Sequence, residues 1–214
     1  MKKSLLIFDH IRWIIIVAFT YSAVLATGEN IMLQRKAIIH NFSKKQYQAA
    51  NQNWAISQNK EGELFFGNTF GLLRFDGYTW TTHKLKDNIT IRSVYADNDG
   101  KIYVGGHEEF GYWEYSPEGE LVYHSVSQLL PTSHRFKNED IWEITKINSK
   151  IFFRSFARIY ILDHGKLTVI DPNNAVFSLH FIHNHPYAFL LTKGFYQITD
   201  QFLLEKDNSF NALN

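Results

Sequence analysis

The sequence predicts an all-β fold of propeller blades: about four four-stranded antiparallel sheets, an incomplete or truncated set, after an amino-terminal signal segment. Three observations lead there. A unit of about 40 residues recurs in tandem, the length of a propeller blade. Each copy alternates apolar and polar residues between turns rich in Gly, Asn and Asp. Phe and Tyr, 18 and 11 in number, favour pleated, half-buried strands.

The amino end differs from the rest. Lys2, Lys3 and Arg12 outnumber Asp9, and "WIIIVAFTYSAVLA" (Trp13 to Ala26) follows without a charge. That run is shorter than the roughly 20 residues of a membrane span, and Val24-Leu25-Ala26 offers a small residue for cleavage. Residues 1–26 read as a signal peptide or an uncleaved anchor, and either one exports the remainder to an extracytoplasmic space. With no Cys, neither a disulfide framework nor a thiolate metal site is possible.

The repeat begins at the first blade. "WAISQNKEGELFFGN" (Trp54 to Asn68) lies over "RSVYADNDGKIYVGG" (Arg92 to Gly106). Ile56, Leu64 and Phe66 then meet Val94, Ile102 and Val104, Gly62 meets Gly100, and Gly67 meets Gly105. The glycines closing Asn59–Gly62 and Asp97–Gly100 supply the positive φ of a tight hairpin. In the third copy (Trp142 to Gly165), Ile144, Ile151 and Phe153 persist, while Arg154 and Ala157 replace the loop glycines. A fourth copy (Phe177 to Asp200) keeps Leu179, a turn and "KGFYQI". The expected organisation is a lead-in over 27–52, with a candidate closing strand, then blades at 53–90, 91–139, 140–174 and 175–214. The last ends on "FLLEKDNSFNALN", with no closing strand in its pattern. Either a small four-bladed ring or the front piece of a larger one fits, since propellers run from about 4 to 8 blades.

"NQNWAIS", "GLLRFDG" and "EFGYW", with the runs around them from Asn41 to Ile144, resemble the two-component-regulator propeller family of Bacteroides-type bacteria. The resemblance implies a periplasmic ligand sensor, often for glycan fragments. In that family a triple-tyrosine domain, a membrane helix and a LuxR-type or histidine-kinase output module follow the propeller. None of these is in the 214 residues.

A ligand is expected where the inner strand of each blade begins, beside the loop between its second and third strands. Those positions are Trp54, Arg92, Trp142 and Phe177, edged by His107, Glu108, Glu109, Arg154 and Arg158. Aromatic faces stack on the apolar faces of sugars and Arg forks bind carboxylates, so a sugar or an acidic oligosaccharide suits the set. The plainer reading is that Trp54 and Trp142 fill space between blades and that Glu108 and Glu109 are solvated loop residues.

Other chemistry is missing. His183-Asn184-His185 falls on a hairpin turn, and Asp97-Asn98-Asp99-Gly100 lacks the remaining ligands of a calcium loop. No nucleophile elbow, P-loop or dinucleotide fingerprint occurs, and no cofactor is expected. A net charge of +1 argues against nucleic acid. An oligosaccharide and a second copy in a homodimer remain as partners, with the membrane reached only through an uncleaved amino end. The expected function is a non-enzymatic sensor; an exported polysaccharide-acting propeller enzyme and a protein-interaction scaffold are the alternatives.

Overall fold

The computed structural model describes residues 39–134 and 138–213, so the signal or anchor predicted over 1–26 lies outside the described residues. All the elements described belong to the unit Phe42–Asn214. Its first sheet comprises β1 (Asn53–Gln58), β2 (Leu64–Asn68), β3 (Gly71–Phe75) and β4 (Trp80–His83). The second comprises β5 (Ile91–Ala96), β6 (Ile102–Gly106), β7 (Phe110–Tyr115) and β8 (Leu121–Ser125). The third holds β9 (Glu143–Ile147), β10 (Lys150–Arg154), β11 (Ile159–Asp163) and β12 (Lys166–Ile170). The fourth holds β13 (Val176–Ile182), β14 (His185–Leu190), β15 (Gly194–Ile198) and β16 (Leu204–Lys206). Within every sheet the strands lie antiparallel in chain order, which is the build of a propeller blade.

Turn chemistry sets the first hairpins. Gly62 and Gly100 sit at φ +89° and +91°, as their hairpins demand. Asn148, His183 and Asn184 take the left-handed region in the third and fourth sheets, so the His-x-His run is a turn. The fourth sheet is complete, contrary to the sequence expectation. β16 is only three residues long, too short to show alternation, and Phe202 at φ 59° makes a turn that its side chain does not advertise.

Three apolar clusters join the sheets. Phe65 and Leu72 of the first meet Val94, Ile102 and Val104 of the second. Tyr103 and Phe110 of the second meet Ile144, Phe153 and Tyr160 of the third. Phe152, Ile159 and Ile161 of the third meet Leu179, Ala188 and Leu190 of the fourth. Among the described residues no cluster joins the fourth sheet to the first.

The inner-strand column shows the same thing. Val94, Ile144 and Leu179 are 7%, 9% and 7% exposed, each covered by the preceding sheet, whereas Ile56 is 62% exposed. Farther out on that face, Phe42 and Tyr47 pack on Trp80, with Phe66 and Phe75 around it. Tyr47 ends a one-turn helix, α1 (Lys44–Tyr47), in which the Ser43 N–H donates to Gln46 Oε1 at 2.7 Å. Buried Asn68 ties down the next residues, donating to the Ala50 carbonyl at 2.9 Å and accepting from the Ala50 N–H at 3.1 Å. The described part of the lead-in thus carries a helix and no strand in the place of the expected closing strand.

The loop glycines serve the contact between sheets. A Cβ at Gly67 would lie 3.0 Å from the carbonyl oxygen of Ile91, and one at Gly105 would lie 2.5 Å from Cγ2 of Ile141. Both residues stand at the approach to the next sheet, so glycine makes room for the Ile91 backbone in one case and for the Ile141 side chain in the other. The third copy solves the approach differently. Arg154 occupies the column, and its Nη1 donates to the Val176 carbonyl at 3.1 Å.

His83 ends β4 with its ring 5.5 Å from that of Trp113 in the second sheet, and its buried Nε2 has no hydrogen-bond partner. Burial, then the Arg74 charge, pulls its pKa below the usual 6.5. The unfolded chain therefore takes up a proton near pH 6.5 while the folded chain does not. This contribution to stability is complete above that pH and declines as pH falls below it. We expect the urea midpoint of the native chain to drop between about pH 7 and 5.5, and the drop to shrink in His83→Gln.

Candidate functional site

Inner strands β1, β5 and β9 start side by side, and a backbone irregularity sets the side chains at those starts. Register shifts between Asn53 and Ala55, Ile91 and Ser93, and Val176 and Ser178 leave Trp54, Arg92 and Phe177 as the extra residues of β-bulges. Trp142 holds the matching place before β9, its N–H donating to the Arg154 carbonyl at 2.8 Å. A bulge re-aims the side chain that it adds, so the same device turns out one residue in the first, second and fourth blades.

Three of these four come together. The Arg92 guanidinium carbon lies 3.9 Å from the Trp54 ring centre and 5.1 Å from that of Trp142, and the two indoles meet edge-on at 6.1 Å. Trp142 in turn lies 5.8 Å from Phe156, and Arg154 sits 5.3 Å from the Phe156 ring. The result is a ladder of aromatic and guanidinium groups across the rim of three sheets. Its ends are open, with Trp54 37% and Phe156 50% exposed. Phe177 stays outside the ladder, packing edge-on against Phe189 of its own sheet at 6.2 Å.

The charged residues divide by burial. Residues 138–141 run along the loop between β6 and β7, with the Glu108 N–H on the Glu139 carbonyl at 2.8 Å and the Ile141 N–H on the Gly106 carbonyl at 3.0 Å. This brings Asp140 to the rim, 3.5 Å from Arg92 Nε and 3.6 Å from His107 Nδ1. Half-exposed Glu108 accepts the Asn138 N–H at 2.5 Å.

Glu109, Arg154 and Arg158 serve the frame instead. Glu109 Oε1 accepts from the Tyr123 and Ser125 hydroxyls at 2.8 and 2.7 Å; burial, then this carboxylate, pushes the Tyr123 pKa up. Buried Arg154 donates to Glu143 at 2.7 Å. Arg158 donates to Glu139 at 2.5 Å and to Asp171 at 3.0 Å, and the Ser155 and Tyr160 hydroxyls donate to the other oxygen of Glu139. Glu139 and Asp140 are not among the rim residues expected from the repeat, because they stand far along the chain from the loops they complete. A further cleft, of about 330 Å³, lies at the other end of the blades between the third and fourth sheets, with Phe152, Lys150 and Phe202 in its walls. It too escaped the sequence reading, because hairpin turns form it.

The fold and rim define a set of β-propeller blades. No family model and no curated protein matches the sequence. Among solved structures the chain is similar to the extracellular domain assigned to the two-component system BT4673 of B. thetaiotaomicron, with a TM-score of 0.58 at 18% identity over 75% of this chain and 23% of that one. A second structure, in which BT4673 is described as a one-component system, gives 0.57 at 18% identity over 81% and 24%. Virginiamycin B lyase of Staphylococcus aureus gives 0.56 at 14% identity over 73% and 56%. The chain thus spans about a quarter of the BT4673 extracellular domain and just over half of the lyase, and at these identities the likeness carries the fold alone. Among the described residues, no helix is long and apolar enough to cross a membrane.

Proposed function

We propose that this chain is the ligand-binding part of an exported, non-enzymatic propeller sensor of a two-component or transcription-regulating system, and that it binds glycan fragments at the rim of its first three blades. The observation that carries the reading is the Trp54–Arg92–Trp142 ladder, two side chains turned out by bulges and a third at the matching place of the next sheet, left accessible at its Trp54 end. Similarity in fold to the extracellular domain described for a two-component system supports the sensor role. Indole faces suit the apolar faces of sugars, and the polar groups around them suit hydroxyls.

Thermal-shift screening against a glycan panel tests it. A ligand at 100 times its dissociation constant adds about 2.7 kcal/mol, which raises the melting temperature of a chain this size by about 5–10 °C. Arg92→Ala removes that rise and leaves the unliganded melting temperature within a few degrees, because a partly exposed cation–aromatic contact contributes only about 0.5–2 kcal/mol. Unchanged binding in that variant takes Arg92 out of the site. Product release from the same glycans marks an enzyme instead.

A further inference from the structure

We infer that the rim selects a neutral saccharide and discriminates against uronate-bearing or sulfated ones; the inference rests on the saccharide-binding reading above. Three guanidiniums, of Arg92, Arg154 and Arg158, stand among six carboxylates, of Glu108, Glu109, Glu139, Asp140, Glu143 and Asp171. Every guanidinium already has an acidic partner in the protein: Asp140 for Arg92, Glu143 for Arg154, and both Glu139 and Asp171 for Arg158. Among the described residues of this group, carboxylates therefore outnumber guanidiniums and no guanidinium lacks an acidic partner.

A ligand carboxylate or sulfate approaching Arg92 must therefore compete with Asp140 and come within the field of half-exposed Glu108. A neutral sugar meets the opposite situation. Its hydroxyls donate to those same carboxylates, and its apolar face covers the exposed side of Trp54 or Phe156. The acid-rich rim thus works as a set of acceptors for hydroxyl groups and as a barrier to anions. The two Arg forks that the sequence offered for acidic sugars, Arg154 and Arg158, are spent on internal pairs.

The test is calorimetric titration of the native chain with two sets of hexasaccharides. Cello-, xylo-, manno- and arabino-hexaose are the neutral probes; hexagalacturonate and a heparin hexasaccharide are the acidic ones. We expect a neutral probe to bind at least about tenfold more tightly than either acidic one. Its affinity should change by less than about twofold between low and high salt, since no charge pair forms. The double variant Glu108→Gln, Asp140→Asn should narrow the gap by raising affinity for the acidic probes. Tighter binding of an acidic probe, weakened by salt, overturns the inference and leaves saccharide binding standing. Failure of every probe to bind overturns the saccharide reading, and this inference with it.

Discussion

Phe153→Ala should destabilise the protein by about 3–5 kcal/mol, the usual cost of emptying a buried aromatic site. Phe153 is fully buried, with its ring 4.5 Å from Phe110 and 6.1 Å from Tyr103 across the boundary between the second and third sheets. Fixed strands surround it, so the cavity cannot collapse without moving a sheet. A chain of this length loses about 2–4 °C per kcal/mol, so the melting temperature should fall by about 6–20 °C. The control lies in the neighbouring column. Ile144→Ala should cost about 2–4 kcal/mol, whereas Ile56→Ala, its counterpart in the first sheet, should cost about 0.5 kcal/mol or less. Urea unfolding of the three variants checks the set; equal costs at positions 56 and 144 would mean that something covers the first sheet.

Glu139→Ala should come next in effect, at about 3 kcal/mol. Its carboxylate accepts from Arg158 at one oxygen and from the Ser155 and Tyr160 hydroxyls at the other. Removing it takes an acceptor from three donors, of which the Tyr160 hydroxyl belongs to a buried side chain whose pKa is raised, first by burial and then by Glu139 itself. The cost stays below that of a wholly buried ion pair because Arg158 retains Asp171 and is partly exposed. Glu139→Gln keeps an acceptor oxygen and should cost less. A melting temperature for Glu139→Ala within about 2 °C of the native value would show that water replaces the carboxylate freely.

The blades were legible in the sequence because their cause is local. Alternation and turn glycines repeat in each copy, and the register that brought Ile56 over Val94 matches their pairing with Phe66 and Val104. The rim was legible in part for the same reason: Trp54, Arg92 and Trp142 share a column, and a shared column in a repeat means a shared place. Phe177 shares it too, yet its ring turns to Phe189. What the sequence hid was pairing over distance. Nothing local tells that Glu139 meets Arg158, or that Arg154 is bound to Glu143 and to the backbone of the next sheet. Burial of those groups, rather than their type, decides that they hold the frame.

The column of Gly67, Gly105 and Arg154 bears on how freely the copies could trade places. In two of them a residue of the following segment, by backbone at one and by side chain at the other, occupies the space a Cβ would take; in the third a long cation reaches across to the following strand. Arginine grafted at position 105 would drive into Ile141, and glycine at position 154 would take the Arg donor from Glu143 and from the Val176 carbonyl. Units that began as duplicates have become site-specific parts, and a chimera that shuffled them would have to move each residue of this column together with the strand that follows it.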